Sequence, residues 1–141
     1  MTRIERSSFV LAVMAAAQTP LSPVQVQKLF FILDQKVGGA LGGAYFDFRP
    51  YNYGPFDASV YHELEALAAR SLVFVDGPGT RRRYGVSGEG IALGSRLLAS
   101  LPVADYIRQV AEYVKKASFQ QLVEAIYKEW PSMRANSVYR D

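Results

Sequence analysis

The sequence contains no cysteine. That single absence removes disulfides, thiolate zinc ligands and cysteine nucleophiles together, and it is compatible with a reducing cytoplasm, the expected location. Histidine is nearly missing too, His62 being the only one. A lone histidine can serve as a general base, but it needs an orienting carboxylate and a nucleophile or metal beside it. Glu63 and Glu65 are close in sequence, yet on a helix neither falls at i+4 from His62, and no Asp/Glu cluster has metal-ligand spacing. The residues therefore assign no catalytic group, no metal and no cofactor. Long apolar runs are lacking as well, none approaching the ~20 residues of a membrane span. Nor does one sign of charge dominate: 16 Lys and Arg against 13 Asp and Glu leave a formal +3, which permits an acidic partner without demanding one.

What is present is globular. Half of the 141 residues are hydrophobic and 21% are charged, a composition that can bury a core and does not read as disordered. The length suits one domain, residues 1–141, with a core over about 7–100 and a helical extension over about 103–130. At the N-terminus, Arg3 and Arg6 before the apolar run Phe9 to Ala17 have the look of a signal peptide. Glu5 within the basic segment, and Ser7 or Ser8 as an N-cap, argue instead for a first core helix with Val10, Val13, Met14 and Ala17 on one face.

Ser22-Pro23-Val24-Gln25 is an S-x-x-Q capping box with Pro at the first helical position. The helix it opens carries Val26, Leu29, Phe30, Leu33 and Val37 on one side, with Phe31 and Ile32 widening that surface. This predicts the central, most buried helix, ended by Gly38-Gly39. Tyr45 to Pro50 reads as a short extended segment. It is followed by the aromatic corner Tyr51-Asn52-Tyr53-Gly54-Pro55-Phe56. Asp57 as N-cap would put Phe56 at N′ and Tyr61 at N4, the spacing of a hydrophobic staple, ahead of a Val60, Leu64, Leu67 stripe. Leu72 to Val75 and Arg82 to Val86 read as a hairpin around Asp76 to Gly79. Ser87 caps a helix carrying Ile91, Leu93, Leu97 and Leu98. Two further helices follow, one lined by Val103, Ile107, Val110 and Val114. The other, behind the capping box Ser118-x-x-Gln121, is lined by Leu122, Val123, Ile126 and Tyr127 and stopped by Pro131. The order helix, helix, aimed helix, hairpin predicts an α+β, predominantly helical winged-helix domain of about six helices and one hairpin.

The glycines do not read as a phosphate cradle. Gly38 to Gly43 follow a helix rather than a strand. Gly88-x-Gly90-x-x-x-Gly94 is off the dinucleotide spacing and stands in no parallel βαβ unit. They are expected to cap helices or to let helices approach closely.

Three blocks together, VQKLFFILDQKVGG, YNYGPFDASVYHELEALAARSLV and the final WPSMRANSVY, resemble the Panacea-type antitoxin family and its short bacterial relatives over roughly residues 20–130. Lys28-Leu29 matches that family's lysine-leucine helix, and Tyr53-Gly54-Pro55 followed by Tyr61 matches its tyrosine-rich Y-G-P segment. The resemblance implies a winged-helix-like bundle that binds and neutralises a toxin encoded in a bacterial or phage toxin–antitoxin locus.

Two surfaces compete as the functional one. Arg81-Arg82-Arg83 on the hairpin, with Arg70 at the end of the aimed helix, could grip nucleic-acid phosphates. The aimed helix argues otherwise. Its outer face would carry Ala58, Ser59, His62, Glu65, Ala66 and Ala69, with none of the Arg, Asn or Gln that base reading needs, and Asp57, Glu63 and Glu65 would repel phosphates. Small residues beside tyrosines have the makeup of a protein interface, which assigns Tyr51, Tyr53, Ala58, His62 and Glu65 to a partner protein. For at least two of Tyr51, Tyr53 and Tyr61, however, the expectation is that the ring fills the core beside the first two helices. The functional expectations are a non-catalytic, antitoxin- or immunity-type binding module, a DNA-binding regulator using the basic wing, or a structural homodimer.

Overall fold

A computed structural model describes residues 3–139 of the chain. Two helices form its centre. Helix α1 (Arg6–Ala17) is apolar around most of its circumference, and every residue from Phe9 to Ala15 is buried, as expected of a helix surrounded by others. Helix α2 (Pro23–Val37) is buried continuously from Val26 to Asp34, so the two share the central place expected for α2 alone. The α2 capping box is formed: Ser22 Oγ accepts from the Gln25 N–H at 3.1 Å, and Gln25 Oε1 accepts from the Ser22 N–H at 2.8 Å. α1 lacks such a cap. It starts at Arg6 behind Glu5, which places Ser7 and Ser8 inside the first turn rather than at the N-cap.

Helix α3 (Ser59–Ala69) buries Val60, Leu64 and Leu67. It begins one residue later than an Asp57 cap implies, yet Asp57 Oδ1 still accepts from the Ser59 N–H at 2.8 Å. The staple is present as an edge contact of Phe56 on Tyr61, ring centroids 5.8 Å apart. Strands β3 (Val73–Asp76) and β4 (Arg83–Val86) pair antiparallel, Val73 opposite Val86 and Asp76 opposite Arg83. Leu21, just before α2, adds an antiparallel bridge to Tyr84. Helix α4 (Gly88–Ala99) is capped by Ser87, whose Oγ accepts from the Gly90 N–H at 3.0 Å. Helices α5 (Ala104–Lys116) and α6 (Phe119–Glu129) complete a predominantly helical α+β fold with one apolar cluster running from Phe9 to Tyr127.

Three expectations are corrected. First, there are two hairpins among the described residues, not one: β1 (Arg49–Tyr51) pairs antiparallel with β2 (Gly54–Phe56) around Asn52 and Tyr53. Second, α4 does not use Ile91 as a core residue; Ile91 is exposed, and the buried stripe is Gly90, Gly94 and Leu98. A Cβ on Gly94 would lie 2.7 Å from Ala15 Cβ and 2.8 Å from the Leu11 carbonyl, so α1 and α4 touch backbone to backbone. Third, only Tyr61 of the three corner tyrosines turns inward, stacked on buried Tyr84 at 5.6 Å, while Tyr51 and Tyr53 are 53% and 44% exposed.

Candidate protein-binding face

Residues 44–57 have little regular structure of their own, so something else must satisfy their backbone. Three polar side chains of α2, all buried, do so. Asp34 accepts the N–H groups of Tyr45 and Phe46, both at 2.9 Å. Gln27 brackets Asp57, its Oε1 accepting the Asp57 N–H at 2.9 Å and its Nε2 donating to the Asp57 carbonyl at 3.0 Å. Lys28 Nζ donates to the Tyr53 carbonyl at 2.6 Å. Burial disfavours the Lys28 ammonium and lowers its pKa to about 8. Burial also raises the Asp34 carboxyl, although the two accepted amides pull it back. At Asp57 burial acts upward, but the amides of Asp47 and Ser59, helped by Arg6, outweigh it and leave that carboxyl lowered.

The C-terminal segment grips the same hairpin from the other side. The Val138 N–H donates to the Asn52 carbonyl at 2.8 Å, and Asn136 Nδ2 donates to the Pro50 carbonyl at 3.3 Å. Three successive features therefore present Tyr51 and Tyr53 outward: a short hairpin, α2 beneath it and the tail beside it. Gly54 makes the turn feasible, with φ +113° and a Cβ position only 3.4 Å from Lys28 Nζ. Tyr51 leans on Phe56 at 5.1 Å and Tyr53 meets Phe119 edge-on at 5.3 Å.

Of the residues singled out in the sequence, His62 and Glu65 on α3 and Ala58 at its N-cap are exposed as expected. Tyr53 and Arg83 face one groove of about 690 Å³, with Pro23, Val24, Phe119 and Leu122 among its walls. A smaller hollow brings Glu65 and Arg82 together across Tyr61 and Tyr84. A third, of about 250 Å³, lies under Tyr51 and Tyr53 and reaches Lys28. Arg70, at the C-terminal end of α3, lines none of these hollows. The arginines of the β3–β4 hairpin are partly spent on their own loop. Arg82 Nε donates to the Gly77 carbonyl at 3.3 Å, and Arg83 Nη1 donates to the carbonyls of Thr80 at 3.1 Å and Arg82 at 2.7 Å.

Sequence reasoning missed Phe119, Val24, Gln27 and the placement of Lys28. Phe119 had a readable signal, since it stands at i−3 from Leu122 directly behind a capping box, where an apolar residue extends the stripe onto the surface. No group of three or more His, Asp or Glu placed to hold a metal occurs among the described residues, and no helix there is long and apolar enough to cross a membrane. No protein-family model matches the chain, and no curated protein matches it in sequence.

Proposed function

We propose that this chain is a non-catalytic protein-binding module of antitoxin or immunity type, belonging to a bacterial or phage system and acting in the cytoplasm. The observation that carries the reading is the pair of exposed rings, Tyr51 and Tyr53, on a hairpin whose Pro50, Asn52 and Tyr53 carbonyls are all tied down. A surface rigid before binding loses little on association, and tyrosine combines large contact area with a polar tip. The bland outer face of α3 beside it would let a partner approach closely. Resemblance to the Panacea-type antitoxins and the absence of cysteine agree with this reading.

The second reading is a winged-helix DNA-binding regulator. Its support is the order of α1, α2, α3 and the β3–β4 hairpin, the Leu21–Tyr84 bridge, and Arg81 to Arg83 on the wing. Against it stand the side chains of α3, which include none of the Arg, Asn or Gln used for base reading, and the partial engagement of Arg82 and Arg83 by loop carbonyls. A structural homodimer through the tyrosine face would be the third outcome.

The test uses the product of the neighbouring open reading frame as partner. Tyr53→Ala should weaken binding by about 1–2 kcal/mol or more, with little dependence on salt, as truncated tyrosine anchors commonly do. Replacing Arg81, Arg82 and Arg83 together should do less. Unchanged binding for folded Tyr53→Ala, beside steeply salt-dependent duplex binding lost in the triple variant, would transfer the protein to the DNA-binding class.

A further inference from the structure

We propose that the groove bounded by the start of α2, the β3–β4 hairpin and the first turn of α6 receives an extended acidic segment of the partner, seating one aliphatic side chain and one carboxylate. The inference rests on reading this face as a protein-binding surface and names the chemistry it accepts. Its key group is Arg83. Both Nη1 hydrogens are directed to the carbonyls of Thr80 and Arg82, which fixes the plane of the guanidinium. The Nε and Nη2 edge has no acceptor among the described residues, and that edge is a fork whose geometry matches a carboxylate bidentately.

The rest of the lining selects what accompanies the carboxylate. Among the described residues Arg83 is the only ionic side chain lining the groove, and none of those lining it is acidic. Pro23, Val24 and Leu122 make the apolar part, and the edge-on pair Tyr53 and Phe119 walls one side. Ser22 and Gln25 also line the groove, where their capping box engages Ser22 Oγ as an acceptor and the Gln25 amide oxygen, while Gln25 Nε2 reaches the Val114 carbonyl at 3.5 Å. Among the described lining residues the charged donor is thus that one guanidinium edge, with the neutral hydroxyl residues Ser22, Tyr53 and Thr80 also in the wall. The volume of about 690 Å³ suits a few side chains. Val24 and Tyr53 line both this groove and the hollow beneath the corner, so the two adjoin, an arrangement that suits an extended chain better than a compact ligand. A nucleic acid would present a row of phosphates and needs several cations, not one cation among apolar walls.

The probe is a capped tripeptide, acetyl-Leu-Glu-Leu-amide, titrated into the isotope-labelled full chain and followed by amide chemical shifts. Resonances of Val24, Thr80 and Leu122 should move, and replacing the peptide's Glu by Gln should weaken binding about tenfold, the size of one charge-assisted hydrogen-bonded contact. Arg83→Gln should bind both peptides equally weakly, and Arg83→Lys should recover only part of the preference because it restores charge without the fork. Phe119→Ala should weaken both peptides while keeping the preference for Glu. Absence of movement at millimolar peptide, equal affinity of the two peptides for the parent chain, or a Glu preference surviving in Arg83→Gln would each overturn the proposal. So would a short duplex shifting the same resonances more tightly than the peptide. Peptide failure beside Tyr53-dependent partner binding removes the groove alone, whereas loss of partner binding leaves the peptide result standing.

Discussion

Helices α1 and α2 are equally central, but opposite chemistry holds their surroundings. From Phe9 to Ala15, α1 carries no polar side chain, and it meets α4 where Gly94 lets the backbones close on each other. Over a similar buried length, α2 carries Gln27, Lys28 and Asp34, each bonded to the main chain of residues 45–57. The difference follows from what each helix faces. A helix packed on helices meets neighbours that have satisfied their own backbone, so shape alone decides the fit. A helix packed on an irregular segment meets loose N–H and C=O groups, and each left unpaired would cost about 1–3 kcal/mol. No described buried side-chain nitrogen or oxygen lacks a partner.

The apolar side of this comparison should break most severely. Gly94→Val forces a branched side chain into a site where even a Cβ would sit 2.7 Å from Ala15 Cβ and 2.8 Å from a backbone oxygen. Such overpacking should cost about 3 kcal/mol or more, read as a lowered urea midpoint. Gly39→Ala is the control, since a Cβ there meets nothing within 4 Å. Similar midpoints for the two variants would show that α1 and α4 do not depend on close approach.

The polar side should show itself through pH. Lys28 titrates near 8 in the folded chain, below the usual lysine value of 10.5, so the unfolded chain binds more protons between those values. Stability must therefore rise as pH climbs from 8, by about 2–3 kcal/mol before pH 10. Above that, the phenols of Tyr45 and Tyr61, both raised by burial, act in the opposite sense, since the folded chain then keeps protons the unfolded chain releases. Urea midpoints between pH 7 and 10 should follow that rise in the parent chain, and Lys28→Met should flatten it. A flat parent profile would mean that the ammonium reaches water, and the contrast between the two helices would shrink to packing alone.

The same contrast explains what the sequence disclosed. Capping boxes and apolar stripes made α2, α3, α5 and α6 readable, because both signals are local. In α4 the hydrophobic stripe wrongly placed Ile91 in the core, because glycines carry no hydrophobic signal, whereas the expectation that its glycines let helices approach closely is met at Gly94. The β1–β2 hairpin was missed for a related reason. Each strand has three residues, Pro50 stands opposite Pro55, and proline argues against strands. The hairpin exists because α2 and the tail satisfy it from outside. Lys28 was legible as a motif residue but not as a buried donor, since lysine is rarely buried. Within the candidate face, residue types pointed to Tyr51 and Tyr53, but their exposure depended on backbone ties that no local pattern encodes.

The smallest expected effect is the most useful. Tyr51→Ala and Tyr53→Ala remove large rings, yet each should change folding stability by no more than about 0.5 kcal/mol, as exposed positions usually do. What α2 holds at Tyr53 is the carbonyl, which alanine retains, and Tyr51 touches mainly Phe56, itself only partly buried. Gly54→Ala, which keeps both rings but opposes a φ of +113°, should cost more than either tyrosine substitution. That ordering separates the ring's role from the backbone's. If Tyr53→Ala instead lowered stability as much as Gly54→Ala, the ring would be holding the corner together. Any loss of partner binding in that variant would then report a disturbed hairpin rather than a missing contact, and the tyrosine face would lose its claim to be the interface.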